Sequence, residues 1–494
     1  MGLSIKGESK LLVKHSLIYG LGNILNKVTA VILLPLYTTY LTPTDYGIKE
    51  LVGLTADVIG LLLATAISSA FYRFYFEYQG EEDRKEVVST AVLAVGGAGL
   101  LAVAMLAPFS ASFAFYILDS AGLSHFFLIG LVSMWFQMLS DIGFNYLRAR
   151  MQSILVVTLS VAKLLLSLLL NIYFIVSLEL GVLGILLSTL ISSAALAAVQ
   201  LVPIFRFSGF RFSRSKLKAM LVFGYPLIVS QFGAFVVHLS DRFFIKNFLS
   251  VADTGLYSLA HRIGELPTHF VSGPFNQVWL PRRLEIYKLP DAERVFGRIF
   301  TYFLGLMFFA GLAISVLARD VLRIIATEAF WPAHGVVPLI ALGAIVFSMH
   351  YHVNLGLLIE KKTKYLAAIN LSNAALVLVL NYFLIRKYGV YGAAIAALTA
   401  FAVKVTLTYH FSCRFCKVYL ELARIGKLLL ASGVIYAASF YVTAESPYLS
   451  MALRSAMVCL LPVCLLLLGF FTADELTNAR VLFRRLVPFL RRPG

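Results

Sequence analysis

Leu41-Thr42-Pro43-Thr44-Asp45-Tyr46-Gly47-Ile48 occurs a second time as Leu249-Ser250-Val251-Ala252-Asp253-Thr254-Gly255-Leu256. Both copies run Leu, three small or turn-forming residues, Asp, one residue, Gly and an aliphatic. An apolar run arrives at each copy and a longer one leaves it. Asp after a Pro or Ser turn is placed to cap a helix start, which gives each copy a local reason. It gives no reason for the recurrence. The copies lie about 208 residues apart and the likeness spreads outward from them, so the chain reads as two homologous halves. Tyr19-Gly20 opens the first helix and Phe223-Gly224 the seventh. Phe71-Tyr72-Arg73 with Tyr78 corresponds to Leu280-Pro281-Arg282 with Tyr287.

The surroundings of the repeat set its solvent. Of 494 residues, 60% are hydrophobic and 14% charged, where a soluble domain has roughly 45–50% apolar and about 25% charged residues. The chain is built for lipid. Its apolar runs fall at 14–40, 46–76, 88–117, 122–147, 153–177, 181–205, 220–249, 254–281, 297–317, 335–359, 365–385, 389–410, 427–443 and 450–471. They predict an all-α polytopic membrane protein of about fourteen transmembrane helices. The first run holds Lys27 and is too long for a cleavable signal peptide, so it reads as a span. No run alternates with period two, which excludes a β-barrel.

The predicted organisation is an N-terminal six-helix half over 1–210, a C-terminal six-helix half over 211–420, a helix pair over 421–473 and a basic amphipathic tail over 474–494. With both termini cytoplasmic, roughly thirty Lys and Arg fall inside and about six outside, the positive-inside pattern. The six are Lys246, Arg319, Arg323, Arg386, Lys387 and Arg454. The net charge of +17 is thereby placed at a membrane surface and not on nucleic acid. Each half starts inside, so the halves are parallel repeats about an axis along the membrane normal. From Asp45 to Arg73 is about 28 residues, or roughly 42 Å of helix, beyond the ~30 Å hydrocarbon core. The eighth helix contains Gly264, Pro267, Gly273, Pro274 and Pro281 and is predicted to kink or unwind.

Six cations do not belong to loops or helix ends: Lys27, Lys49, Lys163, Arg242, Arg262 and Lys404. Each costs at least ~2.5–3.5 kcal/mol at a helix centre and should face protein or water. Helical spacing groups Asn23, Asn26 and Lys27 on helix one, and Lys49, Gly53, Asp57 and Gly60 on helix two. It groups Gln231, His238, Asp241 and Arg242 on helix seven, and His261, Arg262, Glu265 and His269 on helix eight. These stripes predict a polar cavity between the halves, with Lys49 near its outer mouth and Arg262 at mid-depth. Lys27, Lys49, Arg242 and Arg262 are the candidate substrate-binding cations. Asn23, Asn26, Asp57, His238, Asp241, His261 and Glu265 are candidate polar lining or ion-coupling groups. An ion pair of Arg262 with Glu265, stapling the helix, is the structural alternative. A cationic, water-filled cavity suits an anion, and the forked donors of Arg suit a diphosphate.

His350, His352 and His410 read as core or interface histidines, and Asp141 as an ion-pair partner of Arg148 at a helix end. Cys413 and Cys416 form a CxxC with no second pair, and Cys459 and Cys464 lie in an apolar span, so no metal or redox site is predicted. There is no Walker loop, HExxH, GxSxG or large external loop, hence no catalytic residue and no cofactor. An energy source would be an ion gradient, of H+ or Na+, or consumption of the product.

Tyr19-Gly20-Leu21-Gly22-Asn23, Leu34-Pro35-Leu36-Tyr37-Thr38, the turn Leu41–Gly47 and Arg73 closing helix two resemble polysaccharide (oligosaccharide) flippases. These belong to the multidrug/oligosaccharidyl-lipid/polysaccharide (MOP) exporter superfamily. The resemblance covers essentially the whole chain in topology. It implies transfer of an undecaprenyl-diphosphate-linked oligosaccharide, a surface polysaccharide repeat unit such as that of O-antigen in lipopolysaccharide, across a bacterial or archaeal cytoplasmic membrane. The transfer would run by alternating access through a cationic cavity, with Lys27, Lys49 and Arg262 holding the diphosphate. Polysaccharide polymerase or export machinery would be the partner. Fourteen helices is similar to the peptidoglycan-precursor flippases, whose last helix pair lines a groove for the lipid tail. Here that pair is short, with Pro447 and Pro462 nearby. A multidrug antiporter of the same superfamily is the alternative, but its cationic drugs favour an acidic cavity. A membrane glycosyl polymerase or ligase is the other, and its usual large external loop is absent.

Overall fold

The computed structural model describes residues 33–287, 290–416, 419–442, 444, 446–473 and 475–477. The first predicted helix, before residue 33, and most of the basic tail lie outside this range. In chain order the helices are α1 (33–40), α2 (Pro43–Glu77), α3 (Glu81–Leu106), α4 (Ser110–Leu118), α5 (Ser124–Ala149), α6 (Ser153–Ile172), α7 (Gly181–Ser208), α8 (Arg214–Phe248) and α9 (Val251–Gly264). There follow α10 (Gly273–Ile286), α11 (Ala292–Ile325), α12 (Val337–Val353), α13 (Leu355–Ile359), α14 (Thr363–Ser412), α15 (Leu422–Ser439), α16 (Pro447–Cys459) and α17 (Leu461–Leu467). The described residues contain no β-strand.

The all-α membrane architecture expected from the composition is what the chain adopts. Ten of the described helices are long and apolar enough to cross a membrane, or eleven if Glu328–Gly335 and Val337–Val353, bent by 45°, form one span. Ser153–Ser177 and Arg214–Phe248 have mean hydropathies of 2.3 and 1.8, yet bury only 11% of their most apolar windows inside the protein. Surfaces this apolar and this uncovered are stable only against lipid.

The eighth predicted span is broken, as its Gly and Pro content required. It runs as α9 to Gly264, a π-helical turn over Thr268–Ser272, then α10 with Pro274 in its first turn. Proline lacks the N–H that an interior helical position needs, and a π turn absorbs the mismatch. α14 is two helices joined at Gly389, whose φ of 60° and ψ of −139° suit glycine and strain any residue with a Cβ.

The chain divides into two compact units. Unit one comprises Met1–Arg262, Ile325–Val336 and Thr363–Lys404; unit two comprises Ile263–Ile324, Val337–Lys362 and Val405–Gly494.

In unit one, both copies of the repeated turn are helix starts, with a refinement in the cap. Thr42, not Asp45, is the N-cap of α2, and Asp45 is the third helical residue. The Thr42 hydroxyl accepts from the Asp45 N–H at 3.1 Å, and the Asp45 carboxylate accepts from the Thr42 N–H at 3.0 Å, a reciprocal capping box. In the second copy the Ser250 hydroxyl accepts from the Asp253 N–H at 3.0 Å and donates to its carboxylate at 2.6 Å.

The recurrence itself has a tertiary cause. A Cβ on Gly47 would sit 2.0 Å from the Val251 carbonyl oxygen, and one on Gly255 would sit 2.0 Å from the Pro43 carbonyl oxygen. Positions 43 and 251 correspond in the repeat, as do 47 and 255. The two copies therefore pack on one another as a self-complementary pair, each glycine against the other's first helical carbonyl. Below this contact, Gly224 of α8 meets the backbone of Ala66 of α2, where a Cβ would lie 2.2 Å from the carbonyl oxygen. The main apolar core of the unit, from Ile67, Phe71 and Phe74 to Met138, Ile142 and Ile204, is contributed by α2, α3, α5, α6, α7 and α8.

In unit two, α11 packs Phe300, Phe303, Leu304 and Met307 against Leu428 and Ile435 of α15 and Leu461 and Leu465 of α17. Arg454, which the charge count placed on the outer side of the membrane, lies in α16 with its side chain 5% exposed and paired at 3.0 Å with the 1%-exposed carboxylate of Asp320. Lys246 of unit one, also counted as a loop cation, is buried against Asp119 at 2.8 Å. Both cations are therefore neutralised by ion pairs and do not act as free loop charges. Removing one partner of a dry pair strands the other, at ~3–5 kcal/mol. Arg454→Ala is expected to lower the melting temperature of the detergent-purified protein by several degrees, whereas Arg454→Leu combined with Asp320→Leu recovers most of that loss. An unchanged melting temperature in Arg454→Ala would show that Asp320 finds another partner.

Candidate functional site

The site grows out of the glycine contact. Because Gly47 and Gly255 let the starts of α2 and α9 touch, residues one and two turns further on face each other at side-chain reach. On α2 these are Lys49 and Glu50; on α9 it is Arg262. Glu50 Oε1 accepts from Lys49 Nζ at 2.7 Å and from Arg262 Nη2 at 2.6 Å, across 212 residues of sequence. The three side chains are 17%, 14% and 35% exposed. Lys49 Nζ lies 5.2 Å from the ring centre of Tyr46 and 5.9 Å from that of Tyr37, and the Arg262 guanidinium 5.9 Å from that of Tyr46. Two cations thus share one carboxylate oxygen and an aromatic wall.

A third cation faces them. Lys163 of α6 donates to Gln137 Oε1 of α5 at 2.6 Å, and Gln137 Nε2 donates to Asp141 at 3.2 Å. Lys49, Lys163 and Arg262 line one cavity of about 410 Å³, with Tyr37, Ser160 and Ser167 and no carboxylate among its described lining residues. A larger cavity of about 650 Å³ lies along α2, α5 and α7 and carries Asp57, Asp141 and Arg148. Lys49, Gln137 and Phe144 belong to both walls. Both volumes fall within the ~300–1,000 Å³ of small-molecule sites. Among the described residues, the smaller cavity is lined by three cations, and the larger carries Lys49 and Arg148 with Asp57 and Asp141.

A sequence model of a family described as "Polysaccharide biosynthesis protein" matches residues 12–286. The chain belongs to the polysaccharide biosynthesis protein family. A relative from Haloferax volcanii, "Probable low-salt glycan biosynthesis flippase Agl15", is 26% identical over 219 residues, which is 42% of this chain and 46% of that protein. The match thus spans less than half of the relative's length. Among solved structures, the lipid II flippase MurJ in an inward closed conformation is similar at a TM-score of 0.74 and 15% identity, over 96% of this chain and 100% of that one. An inward-facing multidrug resistance MATE family transporter of the MOP superfamily is similar at a TM-score of 0.62 and 15% identity, over 78% and 94%. This polysaccharide biosynthesis protein therefore shares the all-α fold of these two solved transporters.

Within this family member, the structure brings some expected residues together and separates others. Lys27, Asn23 and Asn26 lie outside the described residues. Lys49 and Arg262 meet, although their heights relative to the two turns had placed them at different depths. Long side chains span that offset, and Glu50 draws both heads to one point. Arg262 thus pairs across helices with Glu50, while Glu265 falls in the second unit, its carbonyl accepting from the His269 N–H at 3.3 Å.

Arg242 is buried, paired with Asp241 at 2.6 Å and donating to the His238 carbonyl at 2.7 Å, and it lines neither cavity. Tyr257, the counterpart of Lys49 in the second copy, donates its hydroxyl to Asp241 at 2.7 Å. The second half has replaced a cavity cation by a core tyrosine. His238 stacks near Phe401 at 5.6 Å and His261 near Tyr257 at 6.1 Å. Asp57 lines the larger cavity, as do Asp141 and Arg148, but Asp141 is bonded by Gln137 and forms no ion pair with Arg148 seven positions on.

Glu50, Gln137 and Lys163 are the residues that the face analysis passed over. Glu50 follows Lys49 directly, and neighbours in sequence do not share a helix face. Ser133, Gln137 and Asp141 fall at four-residue spacing on α5, and Ser160, Lys163 and Ser167 on one face of α6. Those stripes are legible in the sequence, but on helices other than the repeated leading ones. Free cysteines remain at Cys413, Cys416, Cys459 and Cys464, and no His, Cys, Asp and Glu group among the described residues could hold a metal ion.

Proposed function

We propose that this chain is a flippase that carries a lipid-linked oligosaccharide across the cytoplasmic membrane of a bacterium or archaeon by alternating access. The lipid is a polyprenyl carrier of the undecaprenyl-diphosphate type, and the cargo a repeat unit of a surface glycan. The observation that carries this reading is the 410 Å³ cavity walled by Lys49, Lys163 and Arg262, with no carboxylate among its described lining residues. A diphosphate entering it competes with Glu50 for Lys49 and Arg262, exchanging one carboxylate for several charge-assisted hydrogen bonds. Reversal of that exchange releases the cargo and returns the cations to Glu50, so the site holds the anion without trapping it. Arg262 supplies the forked donors and the lysines point charges.

The rest of the reading follows the family resemblance. Fourteen helices form two six-helix halves, 1–210 and 211–420, with the pair 421–473 appended and both termini cytoplasmic. Lys27, Asn23 and Asn26 line the same path from helix one, and the polar groups His238, His261 and Glu265 serve it or its coupling to H+ or Na+. Transport, not catalysis, is the activity, and polysaccharide polymerase or export machinery receives the product. A drug-antiporter reading meets an anion receptor where a cation receptor is needed.

Reconstitution tests this directly. Proteoliposomes containing a fluorescent polyprenyl-diphosphate-N-acetylglucosamine are expected to expose the inner-leaflet pool to an external quencher much faster than protein-free liposomes. Equal rates with and without protein, under an imposed pH or sodium gradient as well as none, would exclude the flippase reading.

A further inference from the structure

The two cavities of unit one differ in chemistry. Among the described residues the smaller is lined by three cations and no carboxylate. The larger presents Asp57 and Asp141, both solvent-exposed, together with the amides of Gln137 and Asn145, the Ser133 hydroxyl and the Phe144 ring. Asp141 is engaged by the Gln137 amide alone among the described residues, and Asp57 forms no ion pair there. Ionised carboxylates only accept hydrogen bonds, amides both donate and accept, and hydroxyls do either. That set matches the alternating donors and acceptors of sugar hydroxyls, and an aromatic ring offers a surface for the C–H face of a sugar.

The cations of this chamber sit at its ends. Lys49 precedes Asp57 by eight positions, roughly 12 Å along α2, and Arg148 follows Asp141 by seven, roughly 10 Å along α5. α2 and α5 run in the same direction: Gly130 of α5 abuts Val52 of α2, Gly60 abuts Met134, and Asn145 accepts from Tyr72 at 3.0 Å. Along the chamber the order is therefore cation, carboxylates, cation.

The geometry points to a division of the cargo between the two cavities. The smaller takes the diphosphate, and the larger takes the first sugar, which its two carboxylates select to be uncharged, against an acidic sugar such as a uronic acid. This rests on the flippase reading above. Like charges brought together across a site discriminate strongly between ligands that otherwise fit. Gln137, bonded to Lys163 on one side and Asp141 on the other, marks the joint between the two parts.

The test uses the full chain in nanodiscs, with binding followed by tryptophan fluorescence. Four probes are titrated at neutral pH: polyprenol, polyprenyl diphosphate, polyprenyl-diphosphate-N-acetylglucosamine and polyprenyl-diphosphate-glucuronic acid. The N-acetylglucosamine conjugate is expected to bind about tenfold tighter than the glucuronic acid conjugate. In Asp57→Asn with Asp141→Asn, that ratio is expected to fall below about twofold, and each single variant closes part of the gap. Equal affinity for the two conjugates in the unaltered protein, or an undiminished ratio in the variants, overturns the selectivity. Polyprenyl diphosphate binding no better than polyprenol is a different failure, which removes the diphosphate receptor and the flippase reading with it.

Discussion

Cells in which Lys49 and Arg262 are both alanine are expected to lose surface glycan and accumulate lipid-linked precursor on the cytoplasmic side. The loss expected is at least about a hundredfold in export. Each charge-assisted hydrogen bond to a phosphate contributes ~1.5–3 kcal/mol, so removing two donors takes away roughly 3–6 kcal/mol of cargo binding. The same change strands Glu50, 14% exposed and held by these two cations, which threatens the fold as well as the function. Adding Glu50→Gln separates the effects. The triple variant regains stability because a neutral amide replaces the orphaned carboxylate, and it still fails to export. Glu50→Gln alone keeps both cations and removes their internal competitor, so it is expected to bind polyprenyl diphosphate more tightly and release it more slowly. Lys163→Ala falls between, since Lys163 is tied to Gln137 and not to Glu50. The readouts are protein abundance in membranes, surface glycan by lectin staining and extracted precursor. Normal export by the Lys49 and Arg262 double variant would remove both residues from the transport path.

Gly47→Ala or Gly255→Ala destabilises the protein through a single added methyl group. Each new Cβ would lie 2.0 Å from a carbonyl oxygen of the facing turn, and neither oxygen can swing away, because it belongs to the first turn of a helix. The starts of α2 and α9 must part by about an ångström, at ~1–3 kcal/mol or more by analogy with overpacked cores. Parting them also withdraws Arg262 from Glu50, so binding of the anion weakens with the fold. Gly97→Ala is the control. A Cβ there meets nothing within 4 Å, and exchange of a helical glycine for alanine is favourable by up to ~1 kcal/mol. Thermal melts in detergent should therefore shift down by several degrees for Gly47→Ala and Gly255→Ala, and stay level or rise for Gly97→Ala. A melting temperature unchanged in the first two would show that the repeated glycines are not packing contacts.

Much of this molecule is legible in the linear chain, for local reasons. Apolar runs of membrane length specify helices because a backbone in lipid must satisfy its own hydrogen bonds. The repeated turn marks two helix starts because Thr42 with Asp45, and Ser250 with Asp253, close a cap within three residues. The break of the eighth span follows from Pro267, Pro274 and their glycines. Lys49 and Arg262 stand out as cations in apolar runs, where only a polar environment keeps them.

Tertiary structure decided the rest, and in each case the reason is a contact whose partners are too distant in sequence to leave a periodic trace. Gly47 and Gly255 are equivalent in the repeat because they touch each other's turns. Glu50 joins Lys49 to Arg262 across α2 and α9, and Lys163 reaches Asp141 only through Gln137. Arg242, a candidate on the same grounds as Lys49, is held in the core by Asp241, which Tyr257 also binds. A buried cation in the sequence states that a partner exists. Whether that partner is a neighbouring carboxylate, as for Arg242, or a carboxylate shared at a cavity wall, as for Arg262, depends on which helices the fold brings within reach.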